Sequence, residues 1–146
     1  MVIRELKPTD FDYISKSVVD SFLNNSREAQ KVNKEAYKRS HWDIVQGLLA
    51  NAKTLVLCDE QDNDLIYGFV IYDHFPLSDV LHYFYLRNDF RGKGFAKKLV
   101  LCIKKNDMLA YSHLTDGFRP ARLKELWGKV MYDPYLRSMA FKKAKV

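Results

Sequence analysis

Two cysteines in 146 residues cannot build a disulfide framework. Cys58 and Cys102 both sit among apolar neighbours, and neither has metal-ligand spacing with a histidine. Both are read as buried free thiols of a reducing compartment, and no metal is expected. No apolar run approaches the roughly 18 residues that span a bilayer. The first residues, MVIRELKPTD, lack a signal-peptide pattern. A cytoplasmic protein with no membrane partner is the expectation. Proline (four) and glycine (six) are scarce, and there is no low-complexity linker or internal repeat. Residues 1–146 are therefore read as a single domain, long enough to bury a core without staples.

What is present is apolar and aromatic. The apolar share is 47%, ordinary for a globular chain, but nine Tyr and nine Phe are a rich supply of rings. Charge is uneven. Residues 1 to 86 carry nine Lys/Arg against thirteen Asp/Glu, whereas residues 87 to 146 carry fifteen against five. A basic second half points to an anionic partner, phosphate or nucleic acid, or else to a solvated basic face with a basic tail.

Residues Val2 to Leu6 alternate as a first strand. Thr9, with Asp12 three residues on, resembles a helix N-cap, and Phe11, Ile14, Val18 and Phe22 recur at helical spacing behind it. Asn24, Asn25 and Ser26 break that helix. Val32, Ala36, Ile44 and Leu48 share one stripe, which predicts a second helix or helix pair over residues 27 to 51. Thr54–Cys58 and Leu65–Tyr72 are β-rich runs about the polar turn DEQDND, a hairpin signal, and Val80–Leu86 is a third strand of the same sheet. Phe95, Leu99, Cys102 and Ile103 form one apolar helix face. Residues 108 to 114 suit a further strand. Leu123, Leu126, Trp127 and Val130 predict a last helix near 119 to 130, before Asp133-Pro134 ends regular structure. Three consecutive strands between helices argue for an α/β chain with a mixed, mostly antiparallel central sheet flanked by helices.

Two of the six glycines, Gly92 and Gly94, fall two residues apart in RNDFRGKGFAKKL, where the third of those strands becomes a helix. A strand–glycine loop–helix unit aims successive N–H groups at one point, and the helix start adds about half a positive charge. Such a unit holds an anion, a pyrophosphate by preference. The Walker pattern fails because Lys93 is followed by Gly94, and the GxGxxG pattern fails because no third glycine follows Phe95-Ala96-Lys97.

The pattern R-x-x-G-x-A, read as Arg91 to Ala96, resembles the Q/R-x-x-G-x-G/A signature of the GNAT superfamily of N-acetyltransferases. The order of elements agrees with that family over nearly the whole chain. The resemblance implies a GNAT-like acyl-CoA N-acyltransferase fold and acetyl-coenzyme A as cofactor. Its pyrophosphate would rest on the amides of Gly92, Lys93, Gly94, Phe95 and Ala96. Its pantetheine would pair with the exposed strand edge near Phe84, Tyr85, Leu86 and Arg87. Arg91, Lys93 and Lys97 would meet the 3′-phosphate, or else are solvated charges. The implied reaction is direct transfer of an acetyl group to a primary amine, on a small molecule or a peptide. The resemblance also leaves a homodimer open.

For the base, His82 lies a few residues upstream of the loop, near where family members often carry a glutamate, and imidazole titrates in the right range. Period-two alternation places His82 with Phe84 and Leu86 on one face, and Leu81 with Tyr83 and Tyr85 on the other. Asp73 and His74 are reserves. For the acid, the family commonly uses a tyrosine within N-x-x-A-x-x-L-Y-x-x-x-G-F. Here Trp127 stands at that position, and an indole cannot donate a proton at useful pH. Tyr132 is the leading substitute, before Tyr135 and Tyr111, and Trp127 is read as packing the core or the cofactor chain. Acceptor walls are expected at Phe22 to Arg27, around His41 and Trp42, and over residues 131 to 141. The ending DPYLRSMAF and the aromatic strand are similar to small GNAT-like proteins of bacteriophages. Two other functions compete: a catalytically degenerate GNAT-fold protein acting by protein contact or coenzyme A sensing, and a nucleic-acid binder, which is disfavoured because no recognition motif is present.

Overall fold

A computed structural model describes residues 1–25, 33–112 and 123–133, and the side chains of these except 21–25. The chain runs β1 (Val2–Glu5), a 3-10 turn (Pro8–Asp10), α1 (Phe11–Asn25), α2 (Lys34–Asn51), β2 (Lys53–Cys58), β3 (Ile66–His74), β4 (Asp79–Leu86), a second 3-10 turn (Asn88–Phe90), α3 (Phe95–Leu101), β5 (Met108–Tyr111) and β6 (Lys129–Tyr132). Among the described residues six strands form one sheet in the order β1-β2-β3-β4-β5-β6. The first four are antiparallel neighbours, and β4–β5 and β5–β6 are parallel. This is the mixed, mostly antiparallel sheet with flanking helices that the sequence implies.

Alternation along the strands sorts the core onto two faces. On one, Ile14, Val18 and Val19 of α1 and Val45, Leu48 and Leu49 of α2 cover Val56, Phe69, Ile71 and Tyr83. On the other, Leu99, Val100 and Ile103 cover Val70, Leu81, Leu109 and Tyr111, with Leu123 and Trp127. Each such aliphatic side chain contributes about 1.5–3 kcal/mol on burial.

Several local expectations are corrected. The first helical turn starts at Pro8 rather than behind a Thr9 cap, because the Asp10 carboxylate accepts the Lys7 N–H at 2.8 Å. The same carboxylate takes a bidentate pair from Arg4, at 2.7 and 3.0 Å, which ties β1 to α1. Asn33 caps α2, and that helix turns His41, Val45, Leu48 and Leu49 inward, while Ala36 is exposed. Cys58 is buried as expected, but Cys102 is exposed, since α3 ends just before it.

Of the expected last helix, Leu123 is helical, but residues 124–130 are not. Leu126 and Trp127 N–H groups both bond the Leu123 carbonyl, a single turn, and Val130 lies in β6 opposite Leu109. The open edge of β5 takes this segment as a strand, so tertiary pairing overrides the helical spacing. Val32, Tyr135 and residues 119–122 of those expectations lie outside the described residues, as does the side chain of Phe22.

Candidate functional site

β4 and β5 pair only at Asp79↔Leu109, Val80↔Ala110 and Leu81↔Tyr111, and the Ser112 N–H closes the ladder on the Leu81 carbonyl. Beyond that point β4 runs on to Leu86 with β3 on one side and, among the described residues, no strand on the other. The Arg87 N–H bonds the Tyr67 carbonyl of β3. By alternation the backbone groups of Tyr83 and Tyr85 face β3, and those of Phe84 and Leu86 face the open edge. Arg91 confirms the direction: its Nε donates to the Leu86 carbonyl at 2.8 Å.

The glycine loop follows at once. Gly92 and Gly94 have φ of 76° and 84°, the left-handed region that glycine enters without strain. A Cβ at either would meet nothing within 4 Å, so the space over the loop is open. Gly94 caps α3, and the first N–H with an intrahelical partner is that of Lys98, on the Gly94 carbonyl. Among the described residues no bond engages the N–H groups of Gly92 to Lys97. Open amides, open space and the side chains of Arg91, Lys93 and Lys97 fit a pyrophosphate. The loop rests on an aromatic floor. Phe90 lies 4.1 Å from the Tyr67 ring and 6.2 Å from that of Phe95, and Arg87 and Lys93 sit over Phe90 at 5.6 and 5.9 Å. The Tyr67 hydroxyl in turn donates to Asp59 at 2.7 Å, which raises the phenol's pKa and lowers the carboxyl's.

His82 lies where the sheet divides, but not as alternation predicts. Ile71 pairs with Tyr83 and Tyr72 with Leu81, so His82 is the extra residue of a β-bulge. The bulge resets the phase. Leu81 and Phe84 pack on the α3 face together, and Tyr83 and Tyr85 on the opposite one. His82 is buried, and its Nδ1 lies 3.5 Å from the Ser112 hydroxyl.

The leading acid candidate stands apart from it. Tyr132 is in β6, 45% exposed, with its ring 5.4 Å from that of Tyr111. Leu81, Tyr111 and Tyr132 form one row across three strands, which sets Tyr132 about 10 Å from β4. Burial, helped by the neighbouring Tyr132, pushes the Tyr111 phenol up. Asp73 and His74 are at the other end of β4, beside the β3–β4 turn, roughly 20 Å of strand from the loop.

Two features escaped the sequence. Trp127 packs in the core, as its reading had it, but its indole N–H also donates to Asp79 at 2.9 Å. Asp79 also accepts the N–H groups of Lys105 and Asn106 and the Asn106 side-chain amide, at 2.8, 3.0 and 2.9 Å. Burial alone would raise the Asp79 pKa, but these donors outweigh it and hold the carboxyl below its usual range. Trp127 is thus a core residue. The second feature is a buried pair: the Tyr83 hydroxyl lies 2.7 Å from Nε2 of His41, which α2 presents. An aspartate opening an apolar strand was the one signal for the first; the second needs the bulge and had none.

Similar solved structures share the fold. A candidate acetyltransferase of Bacillus subtilis, YycN, superposes with a TM-score of 0.61 at 18% identity, over 86% of this chain and 90% of its own. One from Pyrococcus furiosus gives 0.58 at 14% identity, over 94% and 88%. A candidate acetyltransferase of the GNAT family from Staphylococcus aureus gives 0.52 at 16% identity, over 68% and 85%. The fold is that of the GNAT acetyltransferases. No family model matches the chain, and no curated protein matches it. The three structures come from bacteria and an archaeon, and most of DPYLRSMAF lies outside the described residues. Among the described residues no helix is long and apolar enough to cross a membrane.

Proposed function

We propose that the chain is an acetyl-coenzyme A-dependent N-acetyltransferase acting on a primary amine of a small molecule or peptide. The observation that carries this is the junction of an open β4 edge with a loop of unengaged amides. Bound acetyl-coenzyme A would supply the thioester whose acetyl group is transferred. Gly92, Lys93, Gly94, Phe95 and Ala96 hold the pyrophosphate through their N–H groups, and Arg91, Lys93 and Lys97 offset its charge. Arg91 also fixes the end of β4 through Leu86, so it positions the strand edge and the loop together. The backbone of Phe84 and Leu86 aligns the pantetheine, flanked by Tyr85 and Arg87. His82 stands at the division of β4 from β5 as the group to take the amine's proton, with Ser112 beside it. Tyr132 remains the more distant donor for the leaving thiol. The amine comes from the side of α1 and α2.

The burial of Trp127 supports a second reading, a protein that binds coenzyme A or a partner protein without transfer. Calorimetric titration with acetyl-coenzyme A, with Gly94→Trp as control, tests the first step. Micromolar binding that the variant loses supports the loop assignment, and no binding at millimolar cofactor refutes the enzyme. Thiol release with a panel of amines separates transfer from binding alone, and its loss in His82→Ala, with Tyr83→Phe unaffected, would assign the base to His82.

A further inference from the structure

We propose that Tyr83 and His41 form the proton relay of this site, Tyr83 as a catalytic residue and His41 as a positioning residue acting through it. The inference rests on the acetyl-transfer reading above. Tyr83 is two residues beyond Leu81, the last β4 residue paired with β5, and so stands where the sheet opens. Without the bulge it would share the α3 face with Leu81. The extra residue, His82, turns it to the face covered by α1 and α2, which is the kind of re-aiming bulges perform beside active sites.

There the phenol meets an imidazole that is itself held. His41 stacks on Tyr37, one helical turn before it, at 5.5 Å and 12° between planes, and meets the Tyr83 ring edge-on at 5.6 Å and 83°. Tyr83 is 6% and His41 3% exposed, and Tyr83 packs in the cluster of Ile14, Val45, Phe69 and Ile71. A clamp between α2 and β4 needs no such pair, since apolar side chains of equal volume would hold the two without desolvating polar groups. The other phenols and the indole are placed elsewhere: Tyr132 is on an exposed strand and Trp127 is bonded to Asp79.

The pair supplies both proton transfers and so replaces His82 and Tyr132 in the roles given to them above. The amine nitrogen attacks the thioester carbonyl carbon, the C–N bond forms and the C–S bond breaks. As it does so, the Tyr83 oxygen accepts the proton shed by nitrogen while its own O–H proton passes to Nε2 of His41. The imidazolium then returns a proton through Tyr83 to the leaving sulfur. The products are an amide and a thiol, nothing is oxidised or reduced, and no separate acid is required.

The test uses the full-length protein. Tyr83→Phe keeps the ring and removes the hydroxyl. Its kcat is expected to fall about 100-fold, with the KM for acetyl-coenzyme A unchanged and the melting temperature lowered by only a few degrees. His41→Gln, which preserves a hydrogen bond but not a base, should lose as much. Unchanged kcat in Tyr83→Phe, with the wild type active, overturns the relay and leaves the acetyltransferase standing. Failure of the wild type to bind acetyl-coenzyme A overturns both. Nitrogen-15 NMR of histidine-labelled wild type needs neither a variant nor an acceptor. Nε2 of His41 should be unprotonated in the free protein and should shift on addition of acetyl-coenzyme A. A protonated Nε2, or a resonance that the cofactor leaves in place, overturns the relay.

Discussion

Replacing Asp79 should divide its charge from its geometry. One oxygen, Oδ2, accepts from Lys105, Asn106 and Trp127, and the other from the Asn106 side chain, with His74 Nε2 3.7 Å away. Asp79→Ala strands a fully buried indole N–H and at least one backbone N–H, each worth about 1–3 kcal/mol when left without an acceptor. Some of that is returned by relieving a buried carboxylate, so a net loss of about 3–5 kcal/mol is expected, a third or more of a typical domain's stability. Asp79→Asn can keep its oxygen toward the three donors on Oδ2, but it sets an amide against the Asn106 amide. It should lose about 1–2 kcal/mol. Urea unfolding followed by circular dichroism at pH 7 reads both. The sign in acid is fixed: the folded carboxyl titrates below its ordinary value, so its contribution is complete above pH ~4 and is lost as pH falls through the lower folded value. The gap between wild type and Asp79→Asn should therefore close on acidification. Asp79→Ala within 0.5 kcal/mol of wild type, or Asp79→Asn as damaging as Asp79→Ala, would refute this account of the latch (0.5 being about the scatter of neutral surface changes).

Other outcomes follow from single contacts. In Gly68→Ala the new Cβ would lie 2.6 Å from the Tyr85 carbonyl, so β4 must shift; about 1–3 kcal/mol of stability should go and calorimetry should show weaker acetyl-coenzyme A binding. Arg4→Met leaves the buried Asp10 carboxylate with Lys7 alone and should cost about 2–4 kcal/mol at pH 7 in chemical denaturation. Burial opposes ionisation of Asp10, but the Arg4 and Lys7 bonds prevail and lower its pKa, so that loss too should shrink below pH ~4. In the folded protein an aromatic disulfide reagent should titrate one thiol of the described pair, Cys102, and reach Cys58 only after unfolding.

The strands were legible because each is a β-branched or aromatic run bounded by polar turns, and the glycine pair marked the loop because glycine is otherwise rare. What sequence patterns missed is decided by partners distant in the chain. Alternation along Val80 to Leu86 fails at one residue, because a bulge is a property of two strands and leaves no mark on one. The stripe Leu123, Leu126, Trp127 and Val130 satisfies helical spacing. Leu123 and Trp127 are buried and Leu126 half-buried around one turn instead, and the fourth follows the edge of β5. Pro8 moved the helix start ahead of Thr9, an effect that a capping pattern alone does not weigh. Tyr83 was assigned to the face opposite His82 for a reason that the bulge removes, and its partner His41 is 42 residues away.

The sheet's order has a kinetic consequence. From β1 to β4 each strand lies beside its predecessor in the chain, so the antiparallel half can zip from its β2–β3 and β3–β4 turns. The parallel half cannot. Asp79 waits at the β3–β4 turn for Lys105 and Asn106, 26 and 27 residues on, and for Trp127, 48 residues on. Closing those loops comes late, after the meander exists to receive them. Two refolding phases follow, and the slower carries the indole's entry into the core. Ribosomal synthesis imposes the same order, since residues 1 to 86 emerge first, and for that interval the nascent chain shows solvent the β4 edge that β5 later covers.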